Sequence, residues 1–116
     1  AESAVTRGYG VKAGTNESGA TAVATAGAQG IGIAAETTAS GDALAVIRHG
    51  DAFAIAGAAA NPGTYAKFNA TGQAIAVTRT AGGAEEVIGR FESKPAAAGD
   101  ECIIFVDPFT LTTPAA

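Results

Sequence analysis

The sequence has little of what chemistry or recognition usually requires: one cysteine, one histidine, no tryptophan, no methionine, two tyrosines and only 16 % charged residues. A single thiol, Cys102, excludes an internal disulfide framework and a cysteine-based zinc site. Without Trp, and with two Tyr, stacking platforms for sugar rings are few, which argues against a carbohydrate-binding β module. The seven basic residues, Arg7, Lys12, Arg48, Lys67, Arg79, Arg90 and Lys94, stand singly against eleven acidic ones, for a net charge of −4. No basic stripe is available to neutralise phosphates, so no nucleic-acid partner is expected. No apolar run is long enough to cross a bilayer as a helix, and the start does not read as a signal peptide, so no membrane partner is expected either.

Large apolar residues are also scarce. Two Leu, eight Ile, seven Val and five Phe make 22 of 116 residues, below the usual share for a globular domain. Alanine carries most of the 47 % hydrophobic content. An alanine contributes little on burial, whereas a Val, Leu, Ile or Phe contributes roughly 1.5–3 kcal/mol. Low charge argues against disorder. The expectation is one domain with a thin core that gains stability by packing against other chains, which is the economy of an assembly protein. Mild acidity suits a basic surface on a partner.

What is present is a rhythm of short β-prone segments and glycine turns. Residues 1–29 are small and polar, with Val5, Tyr9, Val11 and Val23 as isolated anchors; they read as an extended N-terminal arm with one edge strand, because repeated glycines oppose a helix. Residues 30–109 read as a β domain. Ile31-Gly32-Ile33 opens it, Thr38 to Asp42 is a turn, and Leu44–His49 is a strand. Gly50-Asp51 suits a tight hairpin loop returning through Phe53 and Ile55. Ala58 to Gly63 is a loop, and a second hairpin joins Tyr65–Phe68 to Ile75–Arg79 through Ala70-Thr71-Gly72-Gln73. Ala81–Ala84 is a loop, Val87–Phe91 a strand and Pro95–Asp100 a turn. Cys102–Val106 is apolar on both faces, as a central, doubly covered strand would be, with Pro108 stopping it and residues 110–116 forming a flexible tail. Six or seven such strands predict an all-β protein, a small barrel or sandwich. Ile31-Gly32 before Gly41-Asp42 and Ile88-Gly89 before Gly99-Asp100 echo one another, either as two related β units or as a turn type that simply recurs.

No constellation carries catalysis. Gly30-Ile31-Gly32-Ile33-Ala34-Ala35 superficially matches a dinucleotide-binding pattern, but lacks the strand before it and the helix after it that such a site needs. His49, beside Asp51, has no nucleophile motif to serve and reads as a solvated turn residue. Cys102 lies in the most apolar segment, where a thiol behaves as an inert small hydrophobe. Glu85-Glu86 and Asp100-Glu101 are neighbours that point to opposite faces of a strand. Asp42, Asp51, Asp100 and Asp107 lie at turns without calcium-loop spacing. The sequons at Asn16 and Asn69 read as chance occurrences. No catalytic, cofactor or metal site is expected, and the chain is not expected to be an enzyme.

From Gly30 to Val106 the order of turns resembles the alanine- and glycine-rich capsid decoration, or cement, proteins of tailed phages. The likeness rests on Ile31-Gly32-Ile33, Ala39-Ser40-Gly41-Asp42-Ala43 before an apolar strand, the Gly50 turn, Pro62-Gly63 before Tyr65, Gly72 ahead of Ile75, Ile88-Gly89-Arg90, and Ala96 to Asp100 before the last strand. These are patterns of turns, not a chemical signature. The resemblance implies a β-rich virion protein on the outer capsid surface that stabilises the phage head by bridging major capsid subunits, commonly as a homotrimer, with no cofactor. By the same analogy the arm is expected to supply assembly contacts, through Arg7, Tyr9 and Val11. The alternative reading is a β-structural component of a phage tail, baseplate or surface fibre.

Overall fold

Large β-formers alternating with alanine or glycine decide where this chain enters strands, because each pair places one bulky side chain inward and leaves the other face thin. The computed structural model describes residues 2–14, 19–22, 30–78 and 83–112. Among them are nine strands: β1 Gly10–Ala13, β2 Ala20–Ala22, β3 Gly32–Ala34, β4 Val46–Ile47, β5 Gly50–Ile55, β6 Tyr65–Phe68, β7 Ala74–Ala76, β8 Ala84–Phe91 and β9 Glu101–Thr112. They form a four-stranded sheet in the order β2-β1-β3-β4 and a five-stranded sheet in the order β5-β9-β8-β6-β7. Every pairing between these strands is antiparallel. The protein is all-β, and its two sheets bury a shared cluster, as in a sandwich.

That cluster joins Ile33 and partly buried Ile47 of the small sheet to Phe68, Ile88, Phe91, Ile104 and Val106 of the large one. Alanines 52, 54, 56, 66 and 74 fill the remaining space, which is how so few large residues suffice. A second cluster, Val5, Val11 and Ala34 with Leu44 and Val46 against it, lies on the other face of the small sheet. The alternation Ile33/Ala34 and Val46/Ile47 sends neighbouring side chains to opposite clusters.

The structure corrects four expectations. The described residues of the segment assigned to an extended arm, 2–14 and 19–22, are folded into the small sheet: β1 lies between β2 and β3, and Val5 and Val11 are buried. Its glycines are contact points, since a Cβ on Gly10 would lie 2.6 Å from the Phe68 ring. Small residues there let an aromatic ring rest on backbone, a role that composition alone reads as looseness. Second, Gly50-Asp51 is not a hairpin loop. β4 pairs with β3, whereas β5 pairs with β9, so the chain changes sheet at Arg48-His49 and Gly50, with φ of +98°, makes the bend. Third, Pro108 does not end the last strand. Val87 pairs with Phe109 and Gly89 with Val106, so Asp107 and Pro108 together oppose Ile88 in a β-bulge, where a residue without an N–H costs the ladder nothing. Thr110–Thr112, expected in a flexible tail, continue that strand. Fourth, β9 is central but covered on one face only: Cys102, Ile104 and Val106 are buried while Ile103 is exposed.

The expected Tyr65–Phe68 hairpin is present, with Lys67 opposite Ile75. Asn69 organises its turn: its Oδ1 accepts from the backbone N–H of Thr71 and Gln73 and from the Thr71 hydroxyl, at 3.0, 3.0 and 2.9 Å. The turn at residues 95–100 is held the same way by Asp100, whose Oδ2 accepts from the N–H of Ala96 and Ala97. Ala81 and Gly82 of the expected loop and the anchor Val23 lie outside the described residues, while Ala84, expected in that loop, opens β8.

Candidate functional site

The exposed face of the five-stranded sheet is built by four neighbouring strands, β5, β9, β8 and β6. Strict alternation turns Ala52 and Ala54 inward on β5 and leaves Asp51 and Phe53 outward. On β9, Ile103 and Phe105 face out between the buried Cys102, Ile104 and Val106. Register then sets Phe53 beside Ile103 and Asp51 beside Phe105, with Arg90 of β8 on the other flank of Phe105 and Tyr65 of β6 opposite Arg90. The row is knitted by ring contacts. Phe105 meets the His49 ring edge-on at 5.3 Å, and Tyr65 meets Phe109 at 5.4 Å. Arg7 lies over the Phe53 ring with 4.0 Å from guanidinium carbon to ring centre, a cation–π contact. A depression of about 140 Å³ lined by Tyr65, Gly89, Arg90, Phe105, Asp107 and Phe109 adjoins one of about 480 Å³ that shares Arg90 and Phe105 and reaches Glu92.

Placing these rings outside is costly for a chain so short of large apolar residues. Five Phe and two Tyr are all it has, yet only Phe68 and Phe91 lie among the fully buried side chains. Ile103 is 39 % exposed, the one exposed large hydrophobic among the described residues, and it lies on β9, an inner strand between β5 and β8. Central aromatic and aliphatic groups with arginine at the margin are the composition of protein-binding surfaces.

Charge on this face is uneven. The carboxyl of Glu92 is held above the usual carboxylate range, first by a hydrogen bond to Asp51, then by desolvation and by the repulsion of Asp51, with Arg90 acting the other way. Asp51 and Glu92 stand on either side of β9, Asp51 opposite Phe105 and Glu92 donating its N–H to the Ile103 carbonyl at 2.9 Å. Towards the far edge, Lys67 donates to Glu85 at 3.1 Å and the two charges cancel.

Of the three residues named as assembly contacts, only Arg7 reaches this face. Tyr9 is half-buried at the end of the segment leading into β1. Val11 is wholly buried and holds its own sheet together, so it is not available to a partner. His49 is exposed, as expected of a turn, but its ring is part of the aromatic row. Cys102 is buried, donates to the Ala54 carbonyl at 3.6 Å, and burial pushes its thiol up to about 11. Asn69 of the second sequon spends its side chain on its turn, and Asn16 lies outside the described residues. Sequence reading passed over Phe53, Ile103 and Phe105. The available signal was the doubly apolar Cys102–Val106 run, which marks a buried face and a sticky one rather than two buried faces.

Fold and face together define an all-β, two-sheet protein whose most distinctive surface is an aromatic sheet face. No protein-family model matches the sequence, and no curated protein is similar to it. Among solved structures the fold is similar to the N base of the head fiber gp8.5 of bacteriophage phi29, with a TM-score of 0.66 over 91 % of this chain and 87 % of that one. The identity is 16 %, so the likeness is one of fold.

Proposed function

We propose that the chain is a structural protein of a phage virion, seated on the outer surface of the head, where it stabilises the shell by bridging major capsid subunits as a homotrimer. The observation that carries this reading is the likeness to the base of a phage head fiber over nearly the whole of both chains. It agrees with the turn-by-turn resemblance to decoration proteins, which rests on different information. The thin core and the outward aromatic row support it further, since both fit a protein that completes its packing against other chains. Many copies, each bridging adjacent subunits, resist loosening of a shell even when every single contact is modest. In this reading the chain holds no cofactor and performs no catalysis.

The same neighbour favours a second reading, that the chain is the base of a surface fibre, because the matched structure is itself a fiber base. Stoichiometry separates the two. Quantitative mass spectrometry of purified virions of the source, relative to the major capsid protein, is expected to give a ratio near unity for a protein covering the shell. A ratio of a few per cent would assign it to fibres or the tail, and absence from the particle would overturn both readings.

A further inference from the structure

Building on the proposed seat on the head, we propose that the outward face of the five-stranded sheet is the capsid-binding surface, and that it takes a basic, partly apolar patch of the shell. An apolar side chain of the partner would rest on Ile103 and Phe105, and a lysine or arginine would enter between Asp51 and Glu92.

The apolar half of the argument is position. Ile103 lies on β9, an inner strand paired with β5 and β8, so the exposed group is within the face and not on an edge strand. Contacts at the centre of an interface are the ones most completely shielded from water and carry most of its energy. Phe53 and Phe105 flank Ile103 on the same surface, and both depressions open beside Phe105.

The electrostatic half identifies the occupant. Asp51, Glu92, Glu101 and Asp107 are exposed on or beside this face against the exposed cations Arg7 and Arg90. Two copies meeting through this face would set like charge against like, which disfavours a second copy of this chain and favours a basic partner. The Asp51–Glu92 pair sharpens the point. The two exposed carboxylates flank β9, Asp51 opposite Phe105 and Glu92 bonded through its N–H to the Ile103 carbonyl, and a cation placed between two like charges relieves their repulsion. Arg90 approaches from one side only, beside Phe105. Arg7 is already committed to the Phe53 ring.

The test uses capsids of the source that lack this chain, the purified full chain, and a sedimentation assay of bound copies per capsid. Ile103→Thr keeps a β-branched residue on an exposed strand position, and Glu92→Lys changes an exposed side chain, so both are expected to stay folded by circular dichroism. Each should weaken binding at least tenfold. Glu36→Lys makes the same change in net charge at an exposed position after β3 and should leave binding as in the parent chain. Variants that bind like the parent would overturn this assignment while leaving the head-protein reading intact. Equal loss with Glu36→Lys would reduce the effect to net charge, and altered self-association with unchanged capsid binding would reassign the face to contacts between copies. A parent chain that never binds these capsids would remove the head-protein reading itself, and this inference with it.

Discussion

Cys102 is the residue at which position most completely determines chemistry. Its neighbours on β9 alternate between buried and outward, and it takes an inward place against Ala54. Loss of solvation there disfavours the thiolate and moves the group from 9.0 to about 11. The consequence for stability has a definite sign. The folded state holds its proton more tightly than the unfolded chain does, so this contribution is complete below pH 9 and is lost as pH rises towards 11. Urea midpoints measured at pH 8, 9.5 and 11 should therefore fall more steeply for the parent chain than for Cys102→Ala. Parallel curves for the two proteins would show that the thiol does not titrate against folding. The inert character of this cysteine was legible from its apolar strand, because burial alone is enough to produce it. The outward role of its neighbours Ile103 and Phe105 was not, since a run apolar on both faces looks the same whether the second face meets its own chain or a partner.

At the scale of elements, the strands were largely legible and the connections were not. Tyr65–Phe68 and Ile75 carried their own turn chemistry in Asn69 and Gly72, so that hairpin could be read locally. The Gly50 bend looked identical in sequence to a hairpin turn, but whether the strands on either side pair with each other depends on β3 and β9, far away in the chain. Pro108 was read as a stop for the same reason. Its tolerance depends on the bulge, and the bulge on Gly89 of the neighbouring strand. A Cβ added at Gly89 would run into the backbone carbonyl of Phe105, so only glycine lets β8 and β9 stay in register past the irregularity. Backbone does not yield as a flexible side chain does, and overpacking of this kind typically costs about 1–3 kcal/mol. Gly89→Ala is expected to lower unfolding free energy by roughly that amount in a chemical denaturation series. An unchanged midpoint would mean that the bulge tolerates a side chain and that Pro108 is accommodated by something else.

For the whole molecule, the decisive feature is how the segment that leads into β1 ties the two sheets together. The N–H of Gly8 donates to Ala34 of the small sheet at 3.0 Å, its carbonyl accepts from Ile55 of the large sheet at 3.0 Å, and the N–H of Gly10 donates to Gly72 at 2.8 Å. Val5 and Thr38 exchange two backbone bonds nearby, both at 2.9 Å. The radius of gyration is 13.5 Å, close to the ~13 Å of a compact domain of about this length. Composition could not reveal this, because glycine serves equally as a flexible joint and as a seat for an aromatic ring. The two uses predict opposite outcomes for removal of residues 1–12. A dispensable arm would leave the unfolding transition unchanged and alter only binding. The observed packing removes Val5 and Val11 from the second cluster, each worth roughly 1.5–3 kcal/mol on burial, together with the bonds between sheets. Against a total stability of about 5–15 kcal/mol for a domain, that loss should abolish a cooperative thermal transition or lower Tm by more than about 10 °C. Arg7→Ala, which removes an exposed guanidinium lying over the Phe53 ring, is expected to keep the transition, so it is the variant that tests the N-terminal segment in binding. A truncated chain that melts like the full one would restore the arm.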